Sequence, residues 1–250
     1  RVTALITLVL ATLTACGLAQ NIRRGDAHLA LGEYFDAAEQ FKQAYAKTPA
    51  KQKTERGAIA LKLAGCYARI NAAPKAVAAY RNAQRNGLLA DGDKLCFAQQ
   101  LMKIGAYREA ADMFGTVSDS ATNSQLARNQ RSFATQATAF RKAKDRYLVK
   151  RMNTLNSRRA DYSPALAGEN YDRLYFTSTR NEASGSQLSG ITGTKEGDIF
   201  VSEKDDRGAW SKPRPIEGAL NTPADEGACT FSADGRTMYL TQCTSSATAP

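Results

Sequence analysis

Histidine is almost missing: His28 is the single one in 250 residues. That leaves no second imidazole for a zinc set, and no base for Ser–His or Cys–His chemistry apart from His28 itself. Cysteine is scarce too, five in all, and no two are spaced Cys-x-x-Cys, so neither a disulfide framework nor a metal knuckle is encoded. Tryptophan occurs once, at Trp210, which supplies poorly the aromatic platform a sugar-binding protein needs. There is no Gly-x-Ser-x-Gly nucleophile turn and no glycine-rich phosphate loop. No stretch reaches the roughly 20 apolar residues that cross a bilayer as a helix. No catalytic residue, metal ligand or cofactor is assigned.

What the chain does have begins at its first residues. From Val2 to Leu13 it is apolar or Thr without a charge, and Thr14-Ala15-Cys16-Gly17 follow. Twelve such residues are too few to span a membrane but fit the hydrophobic region of an export signal, here 1–15. Leu13, two small residues and then Cys16 resemble the lipobox of bacterial lipoproteins, where the thiol is acylated and becomes the first mature residue. The plainer alternatives are a signal cut elsewhere or a short buried helix. Gly17 to Asn21 contain no Asp or Glu.

The formal charge of +10 is uneven, +15 over residues 1–160 and −5 over 161–250, as in two domains of different kinds. The basic half invites nucleic acid as a ligand. Its Lys and Arg are spread round helices without stacking aromatics between them, and an exported protein meets little of it, so solvated helix faces are the preferred reading and attraction to anionic lipid the second.

Over residues 16–150 the chain is Ala-rich, Pro-poor and periodic at helical spacing. Gly25, His28, Gly32, Tyr34, Ala37, Phe41, Ala44 and Pro49 fall at the signature sites of a tetratricopeptide repeat counted from Leu18, where small residues let two helices approach and aromatics fill the gap. A second copy has Ala64, Tyr67, Ala76, Tyr80 and Ala83, with Asn71 and Ala73 in place of Gly and an aromatic at the turn. A third has Ala98, Leu101, Gly105, Tyr107, Ala110 and Phe114. The alanine spacing is 39 residues and then 34, which places a five-residue insertion within 50–55. A last amphipathic helix, about 124–145, carries Leu126, Phe133, Ala137 and Phe140 on one side and is expected to cap the stack with a polar outer face. His28 reads as a packed, hydrogen-bonded residue, and Cys66 and Cys96 as small buried ones.

Over 151–250 one strand–turn–strand phrase occurs twice, 65 residues apart. Residues 160–166 and 174–178 flank a turn at Gly168; residues 226–232 and 238–241 flank a turn at Gly235. Between them lie strands at 197–202 and 210–216. Hairpins repeated at blade spacing predict the first two blades of a β-propeller, so the fold class is α+β multidomain, a tetratricopeptide α-solenoid followed by an incomplete propeller, and the sequence reads as an N-terminal fragment. Asp161, Glu226 and Asp234 read as backbone caps at strand starts and turns. Glu196, Asp198, Glu203, Asp205 and Asp206 lack the order of a calcium loop and read as a solvated acidic turn. Cys229 and Cys243 are either bridged or two free buried thiols. A tight turn sets Cys229 opposite Leu240 and Cys243 three residues beyond, so a bridge needs a wider loop or a bulge.

A lipobox, helical repeats starting two residues after the Cys, and the phrases Asp161-Tyr162-Ser163-Pro164, Leu174-Tyr175-Phe176-Thr177-Ser178-Thr179-Arg180, Gly197-Asp198-Ile199-Phe200-Val201, Leu220-Asn221-Thr222 and Asp225-Glu226-Gly227 together resemble the periplasmic outer-membrane lipoproteins of Bacteroidota associated with the type IX secretion system, whose blades are TolB-like (WD-repeat-like). The resemblance implies a non-enzymatic tether on the periplasmic face of the outer membrane. It also implies envelope or secretion proteins as partners, and a downstream OmpA-like domain that grips peptidoglycan. A peptidase gated by its propeller, with the catalytic domain further along, and a nutrient-binding lipoprotein are the alternatives.

Overall fold

The computed structural model describes residues 17–120, 122–143 and 148–243; Cys16 and residues 1–15, where an export signal is expected, lie outside them. Among these residues the fold is mixed α+β, with seven helices first and two small antiparallel sheets after them. They divide into two compact units, the helices within 17–143 and the strands within 148–243.

The helices are α1 (17–30), α2 (Tyr34–Lys47), α3 (Lys53–Arg69), α4 (Ala73–Arg85), α5 (Asp91–Lys103), α6 (Tyr107–Phe114) and α7 (Ser124–Lys142). From α2 onward each packs against the next in sequence. Their contact faces are mostly alanine: Ala37, Ala44, Ala64, Ala76, Ala98 and Ala110 are fully buried. The axes can therefore come close, and aromatics fill what remains, Phe41 and Phe97 completely and Tyr80 stacked 5.4 Å from Phe97 between ring centres.

Three short turns share one construction. Gly32, Asn71 and Gly105 hold φ of 76°, 57° and 77°. In each, the next residue's N–H returns to the carbonyl five positions back, Glu33 to His28, Ala72 to Tyr67 and Ala106 to Leu101, all at 2.9 Å. The left-handed residue's own N–H bonds to the carbonyl three back. This is the Schellman end of a helix, which places a residue without steric objection to the left-handed region after the last turn. Asn71 is the L-residue that tolerates it best, so the second copy keeps the turn without glycine. Gly32→Ala is expected to lose about 1 kcal/mol and Asn71→Gly to gain up to about 1 kcal/mol in urea unfolding. An added Cβ at Gly32 has open space, so the loss is backbone strain alone.

The insertion within 50–55 is absorbed partly by α3, which starts at Lys53 and runs 17 residues against 13 for α5. Arg56 anchors the extra turn: it stacks 4.1 Å over Tyr45 and donates to the Thr48 carbonyl.

Helix α7 corrects the expectation of a polar-faced cap. Its buried residues are Ala127 and Ala134, while Leu126, Phe133 and Phe140 face outward. Helix α6 packs against it, and the two alanines are what α7 gives to the core.

The strand unit holds β1 (Asp161–Ala167), β2 (Arg173–Ser178), β3 (Asp198–Glu203) and β4 (Arg214–Pro215) in one sheet in that order, and β5 (Glu226–Phe231) with β6 (Met238–Gln242) as a separate pair. The strand expected over 210–216 is cut to a bridge at Trp210 and the two residues of β4. Pro213 and Pro215 have no N–H to give a ladder. The two hairpins match in fine detail. Each has a register shift, between Tyr162 and Ala165 and between Gly227 and Thr230. Each shift contains one non-glycine residue of positive φ, Ser163 and Ala228, 65 apart. Strand β3 is buried over five successive residues, since it is central and covered on both faces.

Candidate functional site

In the helical unit the residues singled out from sequence meet as paired contacts. A Cβ on Gly25 would fall 2.6 Å from the Phe41 ring, so α1 crosses α2 where only glycine fits. Ala37, Phe41, Ala44, Ala76, Tyr80, Ala110 and Phe114 are buried. Tyr34 and Tyr107 are half-buried and Pro49 is exposed at the start of the loop. Arg69 lies 5.2 Å over the Tyr34 ring, joining α3 to α2. His28 is only half-buried, and its Nδ1–H donates to Glu33 Oε2 at 2.5 Å across the Gly32 turn. Cys66 is buried, which pushes its thiol up to about 11, whereas Cys96 is exposed rather than the core residue expected.

One group of metal-ligand type stands out among the described residues. His28, Glu33 and Asp36 bring ligand atoms within 4.8 Å of one another, a grouping not expected from a chain with a single histidine. The tight turn assembles them. They are partly exposed, and the His28–Glu33 hydrogen bond already occupies two.

The strand unit contains what sequence reading missed, a buried polar network at one end of the sheet. Asp161, Ser178 and Asp198 lie side by side on β1, β2 and β3. Arg180, 6% exposed, donates to Asp161 Oδ1 at 2.7 Å, to Ser178 Oγ at 2.9 Å and to the Leu155 carbonyl at 2.9 Å. Its guanidinium lies 5.1 Å over the Phe176 ring and 4.8 Å over Phe200. Burial alone would raise the Asp161 carboxyl, but hydrogen bonds from Ser157, Arg180 and Ser178 outweigh it and hold the group below the usual carboxylate range.

The same scheme recurs in the second hairpin. Asp161 Oδ2 accepts from the Ser157 N–H at 2.6 Å, and the fully buried Glu226 accepts from the Thr222 N–H at 2.8 Å, four residues upstream in both cases. Ser157 and Thr222 also close matching turns, with Arg159 N–H and Ala224 N–H donating to their hydroxyls at 3.0 and 3.1 Å. The capping expected of Asp161 and Glu226 is present, with the ion pair to Arg180 added; Asp234 caps its turn through the Arg236 N–H at 3.1 Å. Asn221 pairs both backbone groups of Ile199, and Thr177 Oγ1 accepts the N–H of the bulged Ala228. Gly197 leaves room for all this, since a Cβ there would stand 2.8 Å from both Thr177 and Tyr162.

No known family model and no curated protein sequence matches this chain.

Asp198 is not in a solvated acidic turn: it is 1% exposed, with Oδ2 accepting from Ser184 N–H at 2.7 Å and Oδ1 lacking a hydrogen-bond partner. Asp205, by contrast, does close an exposed turn through the N–H groups of Arg207 and Ala209. Cys229 and Cys243 are free, the first buried and the second exposed. The bulge adds a residue to β5, and Cys243 N–H reaches the Asp225 carbonyl at 2.8 Å. That sets Cys243 opposite a position four residues before Cys229.

Burial first, and the nearby Glu226 charge, raise the Asp198 carboxyl above its ordinary value against the opposing bonds from Ser184. A carboxyl raised in the folded state adds stability that is complete below its unfolded pKa of about 3.9 and is lost as pH rises through the folded value. Asp198→Asn keeps an acceptor for Ser184 and removes the charge. It is expected to stabilise the strand unit at pH 7 and to flatten its pH profile in urea unfolding between pH 4 and 7; an unchanged profile would contradict the assignment.

Among the described residues no helix is long and apolar enough to cross a membrane.

Proposed function

We propose that the chain is a non-enzymatic scaffold of the bacterial envelope, in which a tetratricopeptide-type helical unit and the first two blades of a TolB-like propeller present docking surfaces from a lipid anchor at Cys16. The observation that carries this reading is repetition in both halves. Schellman turns of one construction at Gly32, Asn71 and Gly105 join the two helices of three successive pairs, and two hairpins 65 residues apart share a bulge and an acid-to-turn hydrogen bond. Repeated units of this kind stack to build extended surfaces for partners. The lipobox at Cys16 and the order of the two halves support the outer membrane and the periplasm as the setting, with secretion or other envelope proteins as partners. Peptidoglycan contact belongs to a further domain in this reading.

The test is a strain lacking the protein, complemented with the parent or with Cys16→Ser. Secretion cargo is expected to accumulate in the periplasm of the deletion strain, and the parent alone to fractionate with outer membrane and take up labelled palmitate. Normal cargo export without the protein, or hydrolase activity mapped to it, overturns the proposal.

A further inference from the structure

Helix α7 buries Ala127 and Ala134 and leaves Leu126, Phe133 and Phe140 exposed at 43, 62 and 66%. The three recur every seven residues, and the half-buried Gln130 and Ala137 fall between them, so the steps alternate four and three. That alternation is the narrow seam of a helix that packs along another helix; a helix lying in a membrane surface carries a much broader apolar face. Phe133 also walls a hollow of about 360 Å³ with Met102, Lys103, Gln99, Gln100 and Gln130.

Charge identifies the other side. Helix α7 holds Arg128, Arg131, Arg141 and Lys142 and no Asp or Glu. Arg128 meets Asp119 at 3.0 Å; among the described residues the other three have no acidic partner. Among the described residues Lys103, beside the hollow, is bonded only to the Asn71 amide oxygen, at 3.1 Å. Pairing two copies of α7 would set cations against cations, so a second copy of this chain is the wrong occupant.

We propose that α7 docks one amphipathic helix of a partner protein, with an apolar seam at heptad spacing flanked by Asp and Glu, and with the hollow beside Phe133 taking its largest apolar side chain. This rests on the docking role proposed above and names its surface and the chemistry of its partner.

Fluorescence anisotropy with the full chain tests it. The probe is a labelled three-heptad peptide with Leu at the seam positions and Glu beside them, compared with the same peptide carrying Lys. The Glu peptide is expected to bind saturably and more weakly as salt rises, and the Lys peptide not to bind. Phe133→Gln with Phe140→Gln, and separately Arg141→Glu with Lys142→Glu, are expected to weaken binding at least about tenfold. All four residues are exposed, so unchanged circular dichroism confirms that the variants fold. Equal binding of the two peptides, or equal binding by parent and variants, overturns the proposal. So does seam-dependent adsorption to phosphatidylglycerol vesicles in place of the peptide, or a seam-dependent dimer in sedimentation. If the seam variants still capture the envelope proteins that the parent captures, the scaffold reading stands and the assignment to α7 falls.

Discussion

Arg180→Ala is expected to unfold the strand unit under conditions where the helical unit stays folded. Among the described residues Arg180 is the one buried Lys or Arg, and its side chain and that of Asp161 beside it are each 8% exposed. Removing the guanidinium leaves the Asp161 carboxylate without its cation, orphans the Leu155 carbonyl and strips two phenylalanine faces of their cover. Breaking a buried pair from one side costs about 3–5 kcal/mol, most of the stability of a small domain. Asp161→Ala should approach the same loss, because Ser157 and Ser178 lose their acceptor as well. The pH signature separates the ion pair from simple packing. The Asp161 carboxyl is held low in the folded state, so its contribution is present above the unfolded value of about 3.9 and is lost as pH falls through the folded one. Urea unfolding of the parent between pH 7 and 2 should show that decline, and the variant should lack it. A variant with parental stability at pH 7 would remove the network from the account of this fold.

Phe41→Ala is expected to be the most damaging single change in the helical unit, at about 3–5 kcal/mol and on the order of 10–20 °C in melting temperature. The ring is fully buried and rests against the bare backbone at Gly25. Glycine within a helix costs roughly 1 kcal/mol relative to alanine, a loss this crossing offsets by letting the ring in. Gly25→Ala alone should therefore destabilise despite better helix propensity, by about 1–3 kcal/mol from overpacking. Made in the Phe41→Ala background it should cost little or become favourable, because the methyl enters the space the ring has left. A double-mutant cycle by thermal melting reads that coupling; strictly additive effects would mean the two residues do not constrain each other.

The contrast between these two sites explains how much was legible beforehand. Gly25 and Phe41 lie 16 apart in a pattern set by helical period, so their meeting follows from spacing. The turns at Gly32 and Gly105 were readable in the same way, and Asn71 was visible as a departure whose backbone conformation turned out to be the same. The strand pairs and their Gly turns were legible from alternation and composition. Arg180 was not, because it reaches Asp161 across a hairpin and Leu155 across 25 residues, and no local period links them. Asp198 looked like one more charge in an acidic stretch, since a carboxylate's burial depends on the strands to either side. On α7 the pattern showed an apolar stripe but not its direction: the core takes Ala127 and Ala134, and the larger Leu126, Phe133 and Phe140 face outward.

The helical unit grows by attaching each element to the one just made, whereas the strand unit joins distant parts, as when the Ala228 N–H meets Thr177 across 51 residues. The order of events in time follows. As the chain emerges, helices can settle pair by pair over short loops, with little entropy lost at each closure. The first hairpin, by contrast, must wait with β2 and β3 incompletely covered until β5 arrives. During that interval its strand edges are open to other chains. The helical unit is therefore safe to make slowly, and the strand unit favours rapid delivery of its next segment.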